Sequence, residues 1–121
     1  MESILTSIKK LLGPSAEYTH FDPDIIMHIN DVFVTLIQLG IGPSTGFSIE
    51  DDTSVWTDFI SDTHWFFPSL KTYVYKKVKL AFDPPLGSAV LDALKEQIRE
   101  TEWRLNTAVE ITSKEENQNV Q

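Results

Sequence analysis

Three histidines are the side chains best suited to metal binding or proton transfer in this 121-residue chain, which contains no cysteine. They are His20, His28 and His64, and no two stand four residues apart, the spacing at which one helix face presents two metal ligands. Adjacent carboxylates such as Asp51 and Asp52 have no partner base nearby in the sequence. We therefore expect no metal site, no thiol chemistry and no disulfide.

Glycine-rich segments often bind phosphates, and the segment Gly40–Gly46 contains three of the five glycines. It lacks the Gly-Lys-Ser/Thr ending of a phosphate-binding loop, and the chain has no Gly-x-Ser-x-Gly elbow. We predict that the protein is not an enzyme and needs no cofactor. The loop of residues 40–52 is either a plain connector or a functional element, because long ordered loops often contact partners. Its candidate partner-contacting or channel-facing residues are Gly40, Ile41, Gly42, Pro43 and Gly46.

The composition is that of one small acidic domain. Eighteen acidic residues against ten lysines and arginines give a net charge of −8, which disfavours general binding to nucleic acid or to anionic membranes. The hydrophobic content of 41% suffices for a single core, and no apolar run approaches the roughly 20 residues that span a bilayer. We expect one α-helical domain over residues 1–111 and a flexible polar tail over residues 112–121.

Helical periodicity and end signals predict an all-α fold, a compact bundle of about five helices. One short segment, residues 46–50, alternates briefly and is a candidate for a β-like stretch. Asp22 is the predicted N-cap of the second helix, with Pro23 at its first position, and Gly40 ends it. The predicted helices are Ser3–Leu12, Asp22–Leu39, a short one from about Thr53, Pro68 or Ser69 to Phe82, and Ser88 to about Val109.

A helix break separates the last two predicted helices. The sequence Asp83-Pro84-Pro85-Leu86-Gly87 ends the fourth helix, because Pro84 disfavours the helical conformation at Asp83. Two prolines restrict the backbone, so we expect a fixed corner rather than a moving hinge. The predicted core face of the fourth helix comprises Leu70, Tyr73, Val74, Val78 and Ala81. That of the fifth comprises Leu91, Leu94, Ile98, Leu105 and Val109.

Trp103 lies on the wrong face of the fifth helix for a core residue. At about 100° per residue, it stands roughly 160° from the centre of the apolar stripe. Tryptophan is enriched in protein interfaces, so we predict a subunit interface. The alternatives are a solvated helix surface and an indole folded against the tail. The predicted interface residues are Trp103, Arg104, Arg99 and Tyr75.

The fourth helix carries a cluster of positive charge. Lys71, Lys76, Lys77 and Lys79 are four of the ten cations in the chain. Such a stripe can meet DNA or an acidic partner, or can form a solvated face that pairs with neighbouring carboxylates.

Several segments resemble the head–tail connector (adaptor) family of tailed bacteriophages, whose members are often labelled DNA-packaging proteins. The opening Met1–Gly13 is similar to that of small phage and prophage structural proteins, as are Phe21–Ile26 and Gln38–Pro43. The strongest likeness runs from Lys71-Thr72-Tyr73-Val74-Tyr75 through Leu80-Ala81-Phe82-Asp83-Pro84-Pro85 to Glu102-Trp103-Arg104-Leu105-Asn106. The resemblance covers Met1 to about Glu110.

The resemblance implies a structural virion protein. Its subunits would form a homo-oligomeric ring on the portal protein, extend the DNA channel and dock the next neck or tail completion protein. DNA would pass without sequence-specific binding, and no membrane would be involved. The location would be the head–tail interface of the virion, with the host cytoplasm as the site of assembly.

Two other function classes stay open from the sequence. An acidic DNA mimic or regulatory protein that inhibits a nucleic-acid enzyme would need a continuous acidic face, whereas a ring subunit needs complementary acidic and basic flanks. A small DNA-binding regulator would use the helix from Lys71 to Lys79 and would bind duplex DNA in a salt-sensitive manner.

Overall fold

The computed structural model describes residues 1–13 and 17–119, with side chains through residue 108. The all-α prediction is confirmed in this part of the chain, which forms four α-helices, one 3-10 turn and no strand. Its one isolated bridge joins Ser3 to Val55, so the β-like stretch predicted for residues 46–50 is not formed. The helices are α1 (Ile4–Leu12), α2 (Asp22–Gln38), α3 (Phe67–Phe82) and α4 (Ser88–Asn119), and the 3-10 turn Trp56–Asp58 takes the place of the predicted third helix.

A buried lysine connects α1 to the start of α2. Ser3 caps α1 by accepting a hydrogen bond from the Thr6 backbone N–H at 3.1 Å. Lys9 is buried, and its Nζ lies 2.8 Å from Asp22 Oδ1 while donating to the Tyr18 carbonyl at 2.8 Å. The prediction of Asp22 as N-cap is wrong, because α2 starts at Asp22 itself and its carboxylate pairs with Lys9 instead. A buried ammonium needs such partners, since an unpaired charge in a core is costly.

The end of α2 turns the chain back onto the core. The Ile41 N–H donates to the Leu36 carbonyl and the Gly40 N–H to the Ile37 carbonyl, with Gly40 at φ +91°. This is a Schellman cap, which requires a left-handed residue that glycine supplies. Ile41 and Ile49 are buried beyond it, and the Asn30 side chain both donates to and accepts from the Ile49 backbone, at 3.0 and 2.8 Å.

The centre of the bundle is α3, which packs against α1, α2 and α4. Leu70, Tyr73, Val74 and Val78 are buried as predicted, whereas Ala81 is exposed in the last turn of α3, one residue before the helix ends. Asp83 leaves the helical conformation at φ −146°, ψ 67°, as expected for the residue before a proline.

Two apolar residues and one polar network hold α4 against α3. Ile98 and Leu105 are buried, Leu91 and Leu94 are half-buried, and the side chain of Val109 lies outside the described ones. The Tyr73 hydroxyl donates to Glu102 at 2.6 Å, and Lys77 Nζ lies 3.1 Å from the same carboxylate oxygen. Burial, with the hydrogen bond and charge of Glu102, raises the pKa of Tyr73 above its usual range.

The last helix is longer than the apolar pattern indicated. Its backbone continues to Asn119, whereas the sequence predicted an end near Val109. Side chains after residue 108 lie outside the described ones, as do residues 120–121 altogether. The flexible tail over residues 112–121 and the domain boundary near 111 therefore stay predictions.

Gly42 and Gly46 form a matched pair for a stability test. Both have positive φ, +97° and +106°, but a Cβ on Gly42 would overlap the Phe59 ring whereas one on Gly46 meets nothing within 4 Å. The backbone costs about 1–2 kcal/mol in each alanine variant, and overpacking adds about 1–3 kcal/mol only in Gly42→Ala. Urea unfolding should show the larger loss of free energy of unfolding for Gly42→Ala. Equal losses would contradict the close contact with Phe59.

Tyr73 should make stability fall at alkaline pH. The folded state favours the protonated phenol, so the stability that Tyr73 contributes is fully present below the unfolded pKa of about 10 and is lost as the pH rises above it. One such group steepens the decline by at most about 1.4 kcal/mol per pH unit. We expect Tyr73→Phe to flatten the decline measured by urea unfolding across this range. Tyr18→Phe, which leaves Tyr73 in place, should keep the wild-type slope, and an unchanged slope in Tyr73→Phe would refute this role.

Candidate functional site

The outer face of α4 carries an exposed tryptophan in the middle of a charged surface. Trp103 is 67% exposed, as its position on the helical wheel predicted, and it does not pack against the described part of its own chain as a core residue would. Arg99 pairs with Glu96 at 2.7 Å and Arg104 with Glu100 at 2.6 Å, all four side chains being exposed. Such surface pairs contribute about 0–1 kcal/mol each and exchange partners readily.

The four residues predicted to form an interface do not lie together on one face. Trp103 and Arg99 share the outer side of α4, being about 40° apart around the helix. Arg104 is about 100° from Trp103 and points to the groove between α3 and α4. Tyr75 is half-buried and packs against the core, so little of its ring is available to another chain. The interface role of these residues stays a prediction.

A groove between α3 and α4 is a feature that sequence reasoning missed. It encloses about 250 Å³ and has an aromatic floor with a polar rim. Trp65, at its edge, is 57% exposed and stacks on His64 with ring centroids 5.6 Å apart. The run Trp65-Phe66-Phe67 before Pro68 was the available signal, but the groove also needs α4, which lies far along the chain. Six of its lining residues are Trp65, Phe66, Thr72, Tyr73, Lys76 and Arg104.

The glycine-rich loop is partly built into the core. Ile41 is buried, Gly42 abuts Phe59, and Gly40 completes the cap of α2, so these three positions are structural. Gly42 and Pro43 are half-buried, and the exposed members of the predicted contact set are Gly40, which is held in the cap of α2, and Gly46. A partner-contacting or channel-facing role for this loop stays a prediction, which the exposed segment of residues 44–46 is best placed to fill.

Two of the side chains suited to chemistry, those of His64 and Asp51, make local hydrogen bonds. His64 Nδ1 accepts a hydrogen bond from the Phe66 N–H at 3.0 Å. Asp51 accepts from the Thr53 hydroxyl and backbone N–H, which together lower its pKa. Among the side chains through residue 108, no group of three His, Asp or Glu is arranged to hold a metal ion.

The lysines of α3 are divided between paired and unpaired positions. Lys77 pairs with Glu102, and Lys79 pairs with Asp83 at 2.9 Å, which supports the interpretation of a face that pairs with its own carboxylates. Lys71 and Lys76 have no ion pair among the described side chains. Lys76 lies on the rim of the groove, so positive charge remains there.

The helix break places apolar side chains in solvent. Asp83 and Pro84 are exposed and Pro85 is half-buried, and Leu86 and Val90, which lie shortly after the corner in the sequence, are exposed as well. No helix in residues 1–13 and 17–119 combines the length and apolar character needed to cross a lipid bilayer.

The chain matches the family model for phage connector protein over residues 4–112. No curated protein and no solved structure gives a significant match. The matched range contains α1, α2, α3 and α4 as far as residue 112. It therefore includes Trp103, the groove and the Asp83–Pro85 corner. Because the match covers most of the chain, the protein belongs to the phage connector family.

Proposed function

We propose that this protein is a ring-forming subunit at the head–tail junction of a tailed phage. Membership of the connector family gives a structural head–tail connector role and a place in the virion. The finer proposal is that copies of the chain form a ring on the portal protein, extend the DNA channel and dock the next neck or tail completion protein. Host cytoplasm is the proposed site of assembly.

The observation that carries the ring proposal is the exposure of Trp103. In a monomer this indole is 67% exposed, so the favourable free energy of burying it is gained only when another chain covers it. Aromatic side chains bury about 150–250 Å² each, and tryptophan is prominent among the residues that dominate interface energetics. A neighbouring subunit would cover the indole, and the surrounding charged residues would form the polar rim of the contact.

The charge distribution favours the ring over the DNA mimic. Three ion pairs alternate acidic and basic groups along α4 and its junction with α3, so this surface is not a continuous acidic face. A mimic of DNA would array carboxylates on one side without such cations. The net charge of −8 is also compatible with a channel that lets DNA pass without binding it tightly.

Trp103→Ala should weaken assembly without affecting the fold. Truncating a buried interface tryptophan costs about 2–4 kcal/mol, which is a loss of roughly 30-fold or more in the binding constant. We expect the variant to join portal assemblies much less than the wild type in mass measurements of the protein alone and mixed with portal. The thermal midpoint should stay within about 2 °C, because an exposed side chain contributes little to folding.

The matched control is Lys95→Ala, which changes an exposed residue of α4 about 80° from Trp103. It should join portal assemblies as the wild type does. A wild-type chain that remains monomeric in the presence of portal would defeat the proposed function. A wild-type chain that is monomeric only when alone would not, since portal can serve as the template.

A further inference from the structure

Trp103 and the aromatic groove lie on opposite sides of the same helix. Thr101 and Leu105 line the groove from α4, and each stands about 160° from Trp103 around the helix axis. One copy of the chain therefore presents a projecting indole on one side and a recess on the other. Because the indole and the recess face in different directions, they cannot contact each other within one chain. The indole of one copy can, however, enter the recess of the next copy.

The groove has the size and lining that an indole requires. Its volume of about 250 Å³ exceeds the roughly 150 Å³ of a cavity that holds a benzene ring. Trp65 offers an exposed aromatic surface, with Phe66 and Tyr73 packed beneath it and 3% and 2% exposed, and an aromatic ring pairs favourably with such a surface. Trp65 is itself 57% exposed, so covering it would bury a second indole in the same contact.

The charges around the two patches are complementary. The groove lining includes Lys76 and Arg104 and, among the described side chains, no carboxylate, and Arg104 pairs with Glu100 just outside it. Among the side chains through residue 108, those within about 60° of Trp103 around α4 include Glu96 and Glu100 and one cation, Arg99, with Lys95 just outside this arc. Opposite charges across an interface favour the correct partner and suppress the wrong one. Because Arg104 and Glu100 form only an exposed pair within the chain, each can exchange to a partner on the next copy.

We infer that the groove between α3 and α4 receives the Trp103 side chain of a second copy of this chain. The contact is heterologous, since one copy offers the indole and the next offers the recess, and a heterologous contact closes into a ring when its rotation allows. This inference rests on the proposed ring function and deepens it by naming the contacting surfaces. An isologous contact, Trp103 against Trp103, would produce dimers only.

The absence of cysteine in the sequence makes a cross-linking test clean. Thr72→Cys places a thiol at the groove, and Thr107→Cys places one a single turn from Trp103, on the same side of α4. The full-length chain with both substitutions is assembled on portal and treated with a short bis-maleimide linker. We expect a ladder of covalent multimers on a denaturing gel.

The single variants supply the controls. Each alone should give no cross-link, and an equal mixture of the two should give covalent dimers and nothing larger. Dimers from Thr107→Cys alone would overturn the inference in favour of an isologous contact. Adding Trp103→Ala to the double-cysteine chain should lower the cross-linked fraction at least about tenfold, whereas Trp103→Phe should retain part of it.

Failure of the inference is distinguishable from failure of the proposed function. Portal-bound rings of the expected mass that yield no ladder from the double-cysteine chain would overturn the Trp103–groove contact and leave the ring function in place. If the wild-type chain never joins portal, the ring function fails and the inference fails with it.

Discussion

The packing of α4 against α3 is the interaction on which the functional surfaces depend. Ile98 and Leu105, seven residues apart, are the α4 side chains that are buried among those described. Burying an aliphatic side chain of this size contributes roughly 1.5–3 kcal/mol, so two of them and the Glu102 network fix the rotation of the helix without covering much of it. A helix supported mainly by one neighbour leaves most of its circumference in solvent, and Trp103 lies there.

That packing is possible because α3 is held firmly from its other sides. The helix packs against α1 and α2, and the core around Phe33 includes the Phe59 ring at a centroid distance of 4.5 Å and the Trp56 indole, which donates to Ser7 at 3.0 Å. Loop residues that resemble a flexible connector in sequence are part of this support, because Ile41 and Ile49 are buried. The Asp83–Pro85 corner then turns the chain so that α4 runs back along α3.

Local signals in the sequence were sufficient for features that depend on one helix. The start of α4 at Ser88, the stop of α3 before Asp83 and the exposure of Trp103 all follow from propensity or from the 100° count. Predictions failed where the outcome depends on residues distant in sequence. Asp22 carries the ordinary features of an N-cap, but buried Lys9 takes its carboxylate. The groove was not predicted from the sequence, because its two walls, α3 and α4, meet only in the folded chain.

The rotational setting of α4 couples folding to assembly. Leu105 can be buried on α3 in one rotation only, and that rotation places Thr101 and Arg104 beside the groove and Trp103 on the opposite side. Advancing the buried stripe by one residue would turn α4 by about 100° and would move Trp103 while the α3 wall of the groove stayed in place. The angle between the projecting indole and the recess is thus set by the intrachain contacts of Ile98, Leu105 and Glu102. A ring built on these two patches would inherit its subunit rotation from them, so substitutions in this buried contact would alter the geometry of assembly even where they leave Trp103 and the groove residues unchanged.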